Sequence, residues 1–180
     1  MTANEFDTFI STYGKDILRY CRMITGSSLE GDDLYQDTML TLLEQQEKLD
    51  FNQNMKSYAL SVSNLIWKNR KRKFAWRKRI APLDSYELHI QSGNDFSDTG
   101  ESAGNPENSV LQNEQIQIVR DMVAALPEKY RMVIYLYYSA NLTVREIVSC
   151  LGLPEGTVKS RLRKAKKILK QELEVVEYDR

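Results

Sequence analysis

Residues 141–170 read NLTVREIVSCLGLPEGTVKSRLRKAKKILK, and this stretch decides the fold of the second half of the chain. Thr143 and Glu146 have the spacing of a capping box, which predicts that a helix begins near Val144. Gly152 then permits a sharp turn, and Pro154 is suited to open a second helix. The apolar positions of the first helix recur at helical spacing and are Val144, Ile147, Val148 and Leu151. The stretch therefore predicts two helices joined by a tight turn.

The second predicted helix has one apolar side and an otherwise cationic surface. Its apolar positions are Val158, Leu162, Ala165 and Ile168 or Leu169. Its cations are Lys159, Arg161, Arg163, Lys164, Lys166, Lys167 and Lys170. A helix-turn-helix of this kind places its second helix in the DNA major groove. The alternative is a solvated basic surface helix, but the agreement of cap, turn and apolar spacing within one short unit favours DNA binding.

Charge is distributed in blocks along a chain of 180 residues with a net charge of zero. Residues 1–66 hold 10 acidic and 5 basic side chains, whereas residues 67–79 hold 8 basic and no acidic ones. Residues 80–119 hold 7 acidic and no basic side chains, and residues 159–170 hold 7 basic and no acidic ones. Two cationic blocks separated by an anionic one suggest two contact sites on one polyanion.

Several classes of site are disfavoured by composition. Cys21 and Cys150 lie far apart, follow no metal-binding spacing and fall on apolar helical stripes, so we expect buried reduced thiols in a cytoplasmic chain. His89 is the single histidine, so we expect no metal site built from several histidines. We expect no metal and no cofactor. The sequence contains no stretch of about 18 apolar residues, and its acidic beginning is unlike a signal peptide, so no membrane insertion is expected.

Helical periodicity predicts an all-α fold of two small helical domains joined by a flexible acidic linker, the second domain containing the helix-turn-helix. The predicted boundaries are 1–80 for the first domain, 81–109 for the linker and 110–172 for the second domain. The final residues, 171–180, are expected to fray. In the second helix, from residue 29 to 46, the residues predicted to face inward are Leu34, Thr38, Met39, Leu42 and Leu43.

The basic block after the third helix contains Trp67, Phe74 and Trp76 among its cations. Such a surface suits a phosphate backbone with unpaired bases, because each base stacked on an aromatic ring contributes about 1–3 kcal/mol. For Trp67, completion of the apolar core is an equally good interpretation. The acidic linker is interpreted as a solubilising segment, with mimicry of a nucleic-acid strand as the alternative.

Taken together, the chain resembles the extracytoplasmic-function group of bacterial RNA polymerase sigma factors. GDDLYQDTMLTLL at 31–43 is similar to the polymerase-binding helix of that family. LPEKYRMVIYLYYSANLTVREIVSCLGLPEGTVKSRLRKAKKIL at 126–169 is similar to its promoter-reading second domain. The resemblance implies a protein that directs core RNA polymerase to specific promoters and opens promoter DNA there.

The resemblance also implies roles for individual residues. Those expected to bind core polymerase are Asp33, Leu34, Gln36 and Asp37. Those expected to hold the minus-ten element are Phe51, Asn64, Trp67, Lys68, Arg70, Lys71 and Arg72, with Leu65 as the alternative to Asn64 at the base pocket. Those expected to bind the upstream minus-thirty-five duplex are Arg145, Thr157, Lys159, Ser160, Arg161, Arg163 and Lys164. Among the upstream residues, Arg145 and Arg161 are expected to hold phosphates.

The implied partners are core RNA polymerase, promoter DNA and an anti-sigma factor, and the chain is expected to be a monomer without enzymatic activity. The alternative function is that of a stand-alone helix-turn-helix regulator. Such a regulator would have no use for the acidic edge of the second helix or for the Trp-containing basic block. Regulators of that kind usually dimerise to read two half-sites. The sequence shows no apolar helix face, beyond those assigned to the core, that could form a dimer interface. A nuclease is the third interpretation, but carboxylates do not cluster near the basic blocks.

Overall fold

A computed structural model describes residues 3–46, 54–80 and 106–178, and the regular structure in these ranges is entirely helical. The helices are α1 (Ala3–Thr25), α2 (Ser28–Glu44), α3 (Met55–Ile80), α4 (Pro106–Ala125), α5 (Glu128–Ile134), a π-helical turn (Tyr135–Ser139), α6 (Val144–Leu151) and α7 (Glu155–Tyr178). The predicted all-α fold class is confirmed.

The first three helices pack into one domain because each carries an apolar face. On α2 the buried residues recur at intervals of three and four: Gly31, Leu34, Thr38 and Leu42. The core contributed by α1 includes Phe9, Ile17, Tyr20 and Ile24, and that of α3 includes Met55, Ala59, Leu60 and Val62. The Ser63 hydroxyl of α3 lies 3.1 Å from that of Thr38, so a buried polar pair fixes α2 against α3.

A close approach of α1 and α2 sets the angle of the second helix. Ser27 caps α2 by accepting a hydrogen bond from the Glu30 backbone N–H at 3.3 Å, and Gly26 makes the preceding turn with a φ of 73°. One turn into α2, a β-carbon on Gly31 would lie 2.5 Å from the Cα of Arg22. The absence of a side chain at Gly31 therefore lets the two backbones meet.

The second domain comprises α4 to α7. Leu126 is buried, Pro127 separates α4 from α5, and the helix-turn-helix packs its inner residues Ile147, Val158 and Leu162 into the core. The Arg131 guanidinium donates a 2.7 Å hydrogen bond to the Ala124 carbonyl and joins α5 to α4.

Three predictions about the elements differ from the structure. Helix α4 begins at Pro106, inside the stretch assigned to the linker, because proline is suited to the first helical position. Helix α7 continues to Tyr178, beyond the end at residue 172 predicted for the second domain. Leu43 is exposed rather than inward, since it falls beyond the buried stripe of α2. The remaining linker residues, 81–105, lie outside the described residues.

The two domains pack against each other through α6 on α3 and α5 on α1. The ring of Tyr135 lies 5.7 Å from that of Tyr20, centroid to centroid, and its hydroxyl donates a 3.2 Å hydrogen bond to the Asp16 carbonyl. Across the described ranges, no helix combines the length and the apolar character required to span a bilayer.

Gly31→Ala is expected to lower the free energy of unfolding by about 1–3 kcal/mol, because the added methyl group meets the backbone of α1 and not a flexible side chain. Gly156→Ala is the matched control: a β-carbon there has no atom within 4 Å, and alanine favours the helix, so stability should be unchanged or higher. Urea unfolding followed by circular dichroism measures both. Equal stability of the two variants would contradict the close approach.

Candidate nucleic-acid interface

The helix-turn-helix is built as its sequence predicts. The Thr143 hydroxyl accepts a 3.3 Å hydrogen bond from the Glu146 backbone N–H, and the Glu146 carboxylate accepts one of 2.7 Å from the Thr143 N–H. Burial raises the pKa of the Glu146 carboxyl, but hydrogen bonds from Thr143 and Asn54 outweigh it and bring the pKa below its ordinary value. Gly152 ends α6 in the left-handed conformation with a φ of 63°. The capping box and the glycine turn are therefore both confirmed.

Helix α7 turns its cations outward. Val158, Leu162 and Ala165 are buried, whereas the side chains expected to meet the upstream element are exposed or half-buried. The exposed ones are Arg145, Lys159, Ser160, Arg163 and Lys164, and the half-buried ones are Thr157 and Arg161. Lys159 pairs with Glu155 at 2.5 Å on the same helix. The arrangement is a cationic helix face whose opposite, apolar side is buried in the core.

The basic face of α3 lies in the first domain, and two of its cations are paired with acids. Arg70 forms an ion pair with Asp37 of α2, and Lys71 pairs with Glu128 of α5 at 2.6 Å. Arg72 donates to the Asn69 side chain at 3.3 Å. Phe51, also expected at the minus-ten element, lies outside the described residues.

Two further residues of α3 contact the second domain. The Asn64 amide donates a 3.1 Å hydrogen bond to the Cys150 carbonyl, and the Lys68 ammonium donates one of 2.7 Å to the Leu151 carbonyl. Asn64 is only 2% exposed, whereas its neighbour Leu65 is 59% exposed. Of the two alternatives for the base pocket, Leu65 faces solvent and Asn64 faces α6.

The aromatic residues of the basic block divide into two groups. Trp67 packs against the core with its indole N–H buried, and the Lys71 ammonium lies 5.7 Å from the centre of its ring. Phe74 and Trp76 are exposed on the last turns of α3. Trp67 therefore completes the core, as one of its two interpretations predicted, while base stacking stays a prediction for these rings.

The outer face of α2 differs from the prediction in two respects. Leu34 is fully buried in the core, so the expectation that it contacts polymerase is corrected: it anchors the helix from inside. Leu29 and Leu40, which were not predicted, are exposed beside Asp33 and Gln36. A spacing of eleven residues places Leu29 and Leu40 on one side of the helix, and Asp33 and Gln36 lie between them on that side. This spacing is the sequence feature that could have predicted the mixed apolar and polar surface.

Both thiols are buried. Burial raises the pKa of the Cys21 thiol to about 11, against the opposing effect of hydrogen bonds with Ser63 and Thr38. Burial likewise raises the pKa of the Cys150 thiol to about 11, against the effect of Ser61. Both cysteines are free, as predicted, and neither is poised as a nucleophile.

Comparison with known families agrees with this geometry. The family model "Sigma-70 region 2" matches residues 9–77, and "Sigma-70, region 4" matches residues 116–169. The two matches together cover about two thirds of the chain and correspond to the two helical domains. The chain belongs to the sigma-70 family. Its relatives place it in the extracytoplasmic-function (ECF) group.

Three of these relatives are themselves ECF sigma factors. SigW of Bacillus subtilis is 25% identical over 168 residues, covering 93% of this chain and 88% of SigW. SigL of Mycobacterium tuberculosis is 26% identical over 157 residues, covering 87% of this chain and 81% of SigL. The sigma-E factor of Escherichia coli is 40% identical over 65 residues, covering 36% of this chain and 34% of that factor.

Solved structures show the same fold. The sigma factor RpoE of Bartonella quintana, in complex with the anti-sigma factor NepR, matches with a TM-score of 0.70 at 16% identity, covering 96% of this chain and 99% of RpoE. CnrH, in complex with the cytosolic domain of CnrY, matches with a TM-score of 0.59 at 14% identity, covering 97% of this chain and 90% of CnrH. The predicted family, fold class and function as an RNA polymerase sigma factor are confirmed.

Alkylation of both cysteines by iodoacetamide at pH 8 should be at least 100-fold slower in the native sigma factor than in denaturant. A thiol with a pKa of about 11 is about one thousandth ionised at pH 8, compared with about a quarter for an ordinary cysteine. Because the raised pKa keeps both thiols largely protonated at pH 8, the alkylation rate of the native protein should be higher at pH 9 than at pH 8. Mass spectrometry of the two peptides measures each site, and rapid native labelling would contradict the burial.

Proposed function

We propose that residues 1–80 of this sigma factor bind core RNA polymerase and the minus-ten element, and that residues 110–172 bind the minus-thirty-five duplex. The supporting observation is that two cationic helix faces, on α3 and α7, belong to different domains. Two faces on separate domains can contact two elements of one promoter. A stand-alone regulator that binds its operator through one helix-turn-helix needs only one such face.

The outer face of α2 is proposed to bind polymerase. It combines the exposed side chains of Asp33, Gln36 and Asp37 with those of Leu29 and Leu40. Binding energy at protein interfaces is concentrated in a few apolar anchors that exclude water, while charged groups around them orient the partner. Leu40 is therefore proposed as an anchor, with the acids guiding the approach.

On the DNA side, α7 is proposed to enter the major groove. Lys159, Ser160, Arg163 and Lys164 would face base edges, while Arg145 and Arg161 would hold phosphates and set the register. The α3 face, with Trp67, Lys68, Arg70, Lys71 and Arg72, is proposed to hold the opened minus-ten strand. The contribution of the protein is binding and positioning of DNA, with no covalent chemistry of its own.

We also propose an anti-sigma factor as a partner and the cytoplasm as the site of action. RpoE of Bartonella quintana is in complex with an anti-sigma factor in its solved structure, and this chain shares its fold. Core polymerase and chromosomal DNA are in the bacterial cytoplasm, where the proposed contacts have to form.

Leu40→Ser should weaken binding to core polymerase about tenfold, because the substitution removes an apolar side chain that is 58% exposed before binding and buried afterwards. Ile116→Ser is the matched control, since Ile116 is 48% exposed but lies on α4. Fluorescence titration of each labelled variant with bacterial core polymerase gives the affinities. Equal losses in both variants would remove Leu40 from the proposed surface.

Arg163→Ala should reduce run-off transcription and upstream-duplex binding by about tenfold, since one good Arg to guanine contact discriminates by about 1–3 kcal/mol. Polymerase binding should be unchanged. The template is a promoter that the wild-type holoenzyme selects from a pool of genomic fragments. Lys170→Ala, at the far end of the same basic block, is the control. Loss of polymerase binding in Arg163→Ala would contradict the two-site assignment.

A further inference from the structure

The connection between α5 and the helix-turn-helix contains a π-helical turn, Tyr135–Ser139. The Ala140 backbone N–H donates to the Tyr135 carbonyl at 3.0 Å, five residues back along the chain, where an α-helix would span four. Such turns are rare and are frequent at functional sites. Tyr135 is buried inside the protein, whereas Tyr137 and Tyr138 are exposed. The unusual turn therefore presents two tyrosines at the protein surface.

The two exposed tyrosines contact each other and one cation of α7. Their ring centroids lie 5.0 Å apart in an edge-to-face arrangement. The Lys166 ammonium lies 5.7 Å from the centre of the Tyr137 ring and 5.3 Å from that of Tyr138. A hydrogen bond that this ammonium donates to the Tyr138 hydroxyl raises the pKa of Lys166. We call these three residues the tyrosine–lysine cluster.

Lys166 lies on the side of α7 that is proposed to read DNA. Lys159, Arg163 and Lys166 follow one another at intervals of four and three residues, which places them on one side of the helix. At about 1.5 Å per residue, Lys166 is about 10 Å along the helix axis from Lys159. The major groove is about 12 Å wide, so a helix whose first turns meet base edges brings Lys166 to the edge of the groove, where the phosphates lie.

The cluster prepares Lys166 for a phosphate. A free lysine side chain loses conformational entropy when it binds, and this loss is smaller when the side chain is already held in position. An ammonium has three N–H donors, of which Tyr138 accepts one, so two remain for phosphate oxygens. The tyrosines that hold Lys166 are neutral, whereas Lys159 is paired with the carboxylate of Glu155. A phosphate at Lys166 therefore displaces no negative charge of the cluster.

We propose that Tyr137 and Tyr138 position the Lys166 ammonium to bind a phosphate of the minus-thirty-five duplex at the edge of the major groove. This inference rests on the proposed function of α7. Lys166 is the phosphate-binding residue, and the tyrosines are positioning residues that act through it. The contact adds affinity whatever the base sequence, because a phosphate carries no information about the bases. None of the three residues is among those expected at this duplex from the sequence.

Lys166→Gln tests the phosphate contact. The holoenzyme is titrated with the promoter that it selects from genomic fragments, and with the same promoter carrying a scrambled minus-thirty-five element, over a series of salt concentrations. We expect Lys166→Gln to raise both Kd values about fivefold and to leave their ratio unchanged. The slope of log Kd against log salt concentration should fall by about 0.9, the value for one phosphate contact on duplex DNA.

Two variants serve as controls. Lys129→Gln removes the same charge from another lysine that contacts a tyrosine, since the Lys129 ammonium lies 5.1 Å from the centre of the Tyr130 ring, but this pair belongs to α5. Both Kd values and the salt slope should be unchanged in that variant. Arg163→Ala, in contrast, removes a side chain proposed to face bases and should reduce the discrimination between the two promoters.

The possible failures are distinguishable. If Lys166→Gln leaves both Kd values unchanged while Arg163→Ala does not, the phosphate contact is overturned and the proposed function of α7 stands. If Lys166→Gln reduces the discrimination between the promoters, Lys166 faces bases and the phosphate contact is again overturned. If Arg163→Ala also leaves both Kd values unchanged, the proposed function of α7 is wrong and the inference falls with it.

A double-mutant cycle tests the positioning role of the tyrosines. Tyr138→Phe removes the hydroxyl that accepts from Lys166 and keeps the ring, so it should raise both Kd values about threefold. In the Lys166→Gln background the same substitution should have no further effect, because the lysine that Tyr138 positions is absent. An equal loss in both backgrounds would show a structural role that does not act through Lys166. That result, or no loss in the wild-type background, would overturn the positioning role.

Discussion

The last carbonyl groups of α6 require hydrogen-bond donors, and this requirement is met where the two domains contact each other. The carbonyls of Cys150 and Leu151 lie in the last turn of α6, where a helix supplies no donors of its own, and Asn64 and Lys68 of the first domain supply them. A buried carbonyl without a donor would be costly, so docking of α6 on α3 satisfies a requirement of the second domain with groups of the first.

The cations of α3 and those of α7 have different surroundings. Two cations of α3 pair with acids of two other helices, Arg70 with Asp37 of α2 and Lys71 with Glu128 of α5, while the cations of α7 remain largely turned to solvent. Ion pairs between partly exposed side chains contribute little net stability and are screened by salt. They are therefore suited to exchange for phosphate contacts. The apolar core beneath them, with Leu34, Thr38 and Ser63, is unaffected by that exchange.

The sequence was informative wherever a local rule is sufficient. The capping box of Thr143 and Glu146, the turn at Gly152 and the buried stripe of α7 depend only on neighbours within a few residues, and all were predicted correctly. Errors arose where burial depends on a distant element. Leu43 was expected in the core, yet it is exposed. Leu34 is buried, as its helical spacing predicted, so only the interface role that the resemblance implied for it is wrong. The π-helical turn that exposes Tyr137 and Tyr138 has no local signature either.

The sequence by itself determined the all-α class, the two domains and the helix-turn-helix, because periodicity, capping and charge blocks are properties of contiguous residues. The resemblance of residues 31–43 and 126–169 to the ECF sigma factors indicated the family. Only the tertiary structure decided that Gly31 lets α1 and α2 touch and that Leu29 and Leu40 join the acidic face of α2. It alone also decided that Asn64 and Lys68 meet the end of α6. Those contacts join residues more than 80 positions apart, and nothing in the local pattern of either segment records its distant partner.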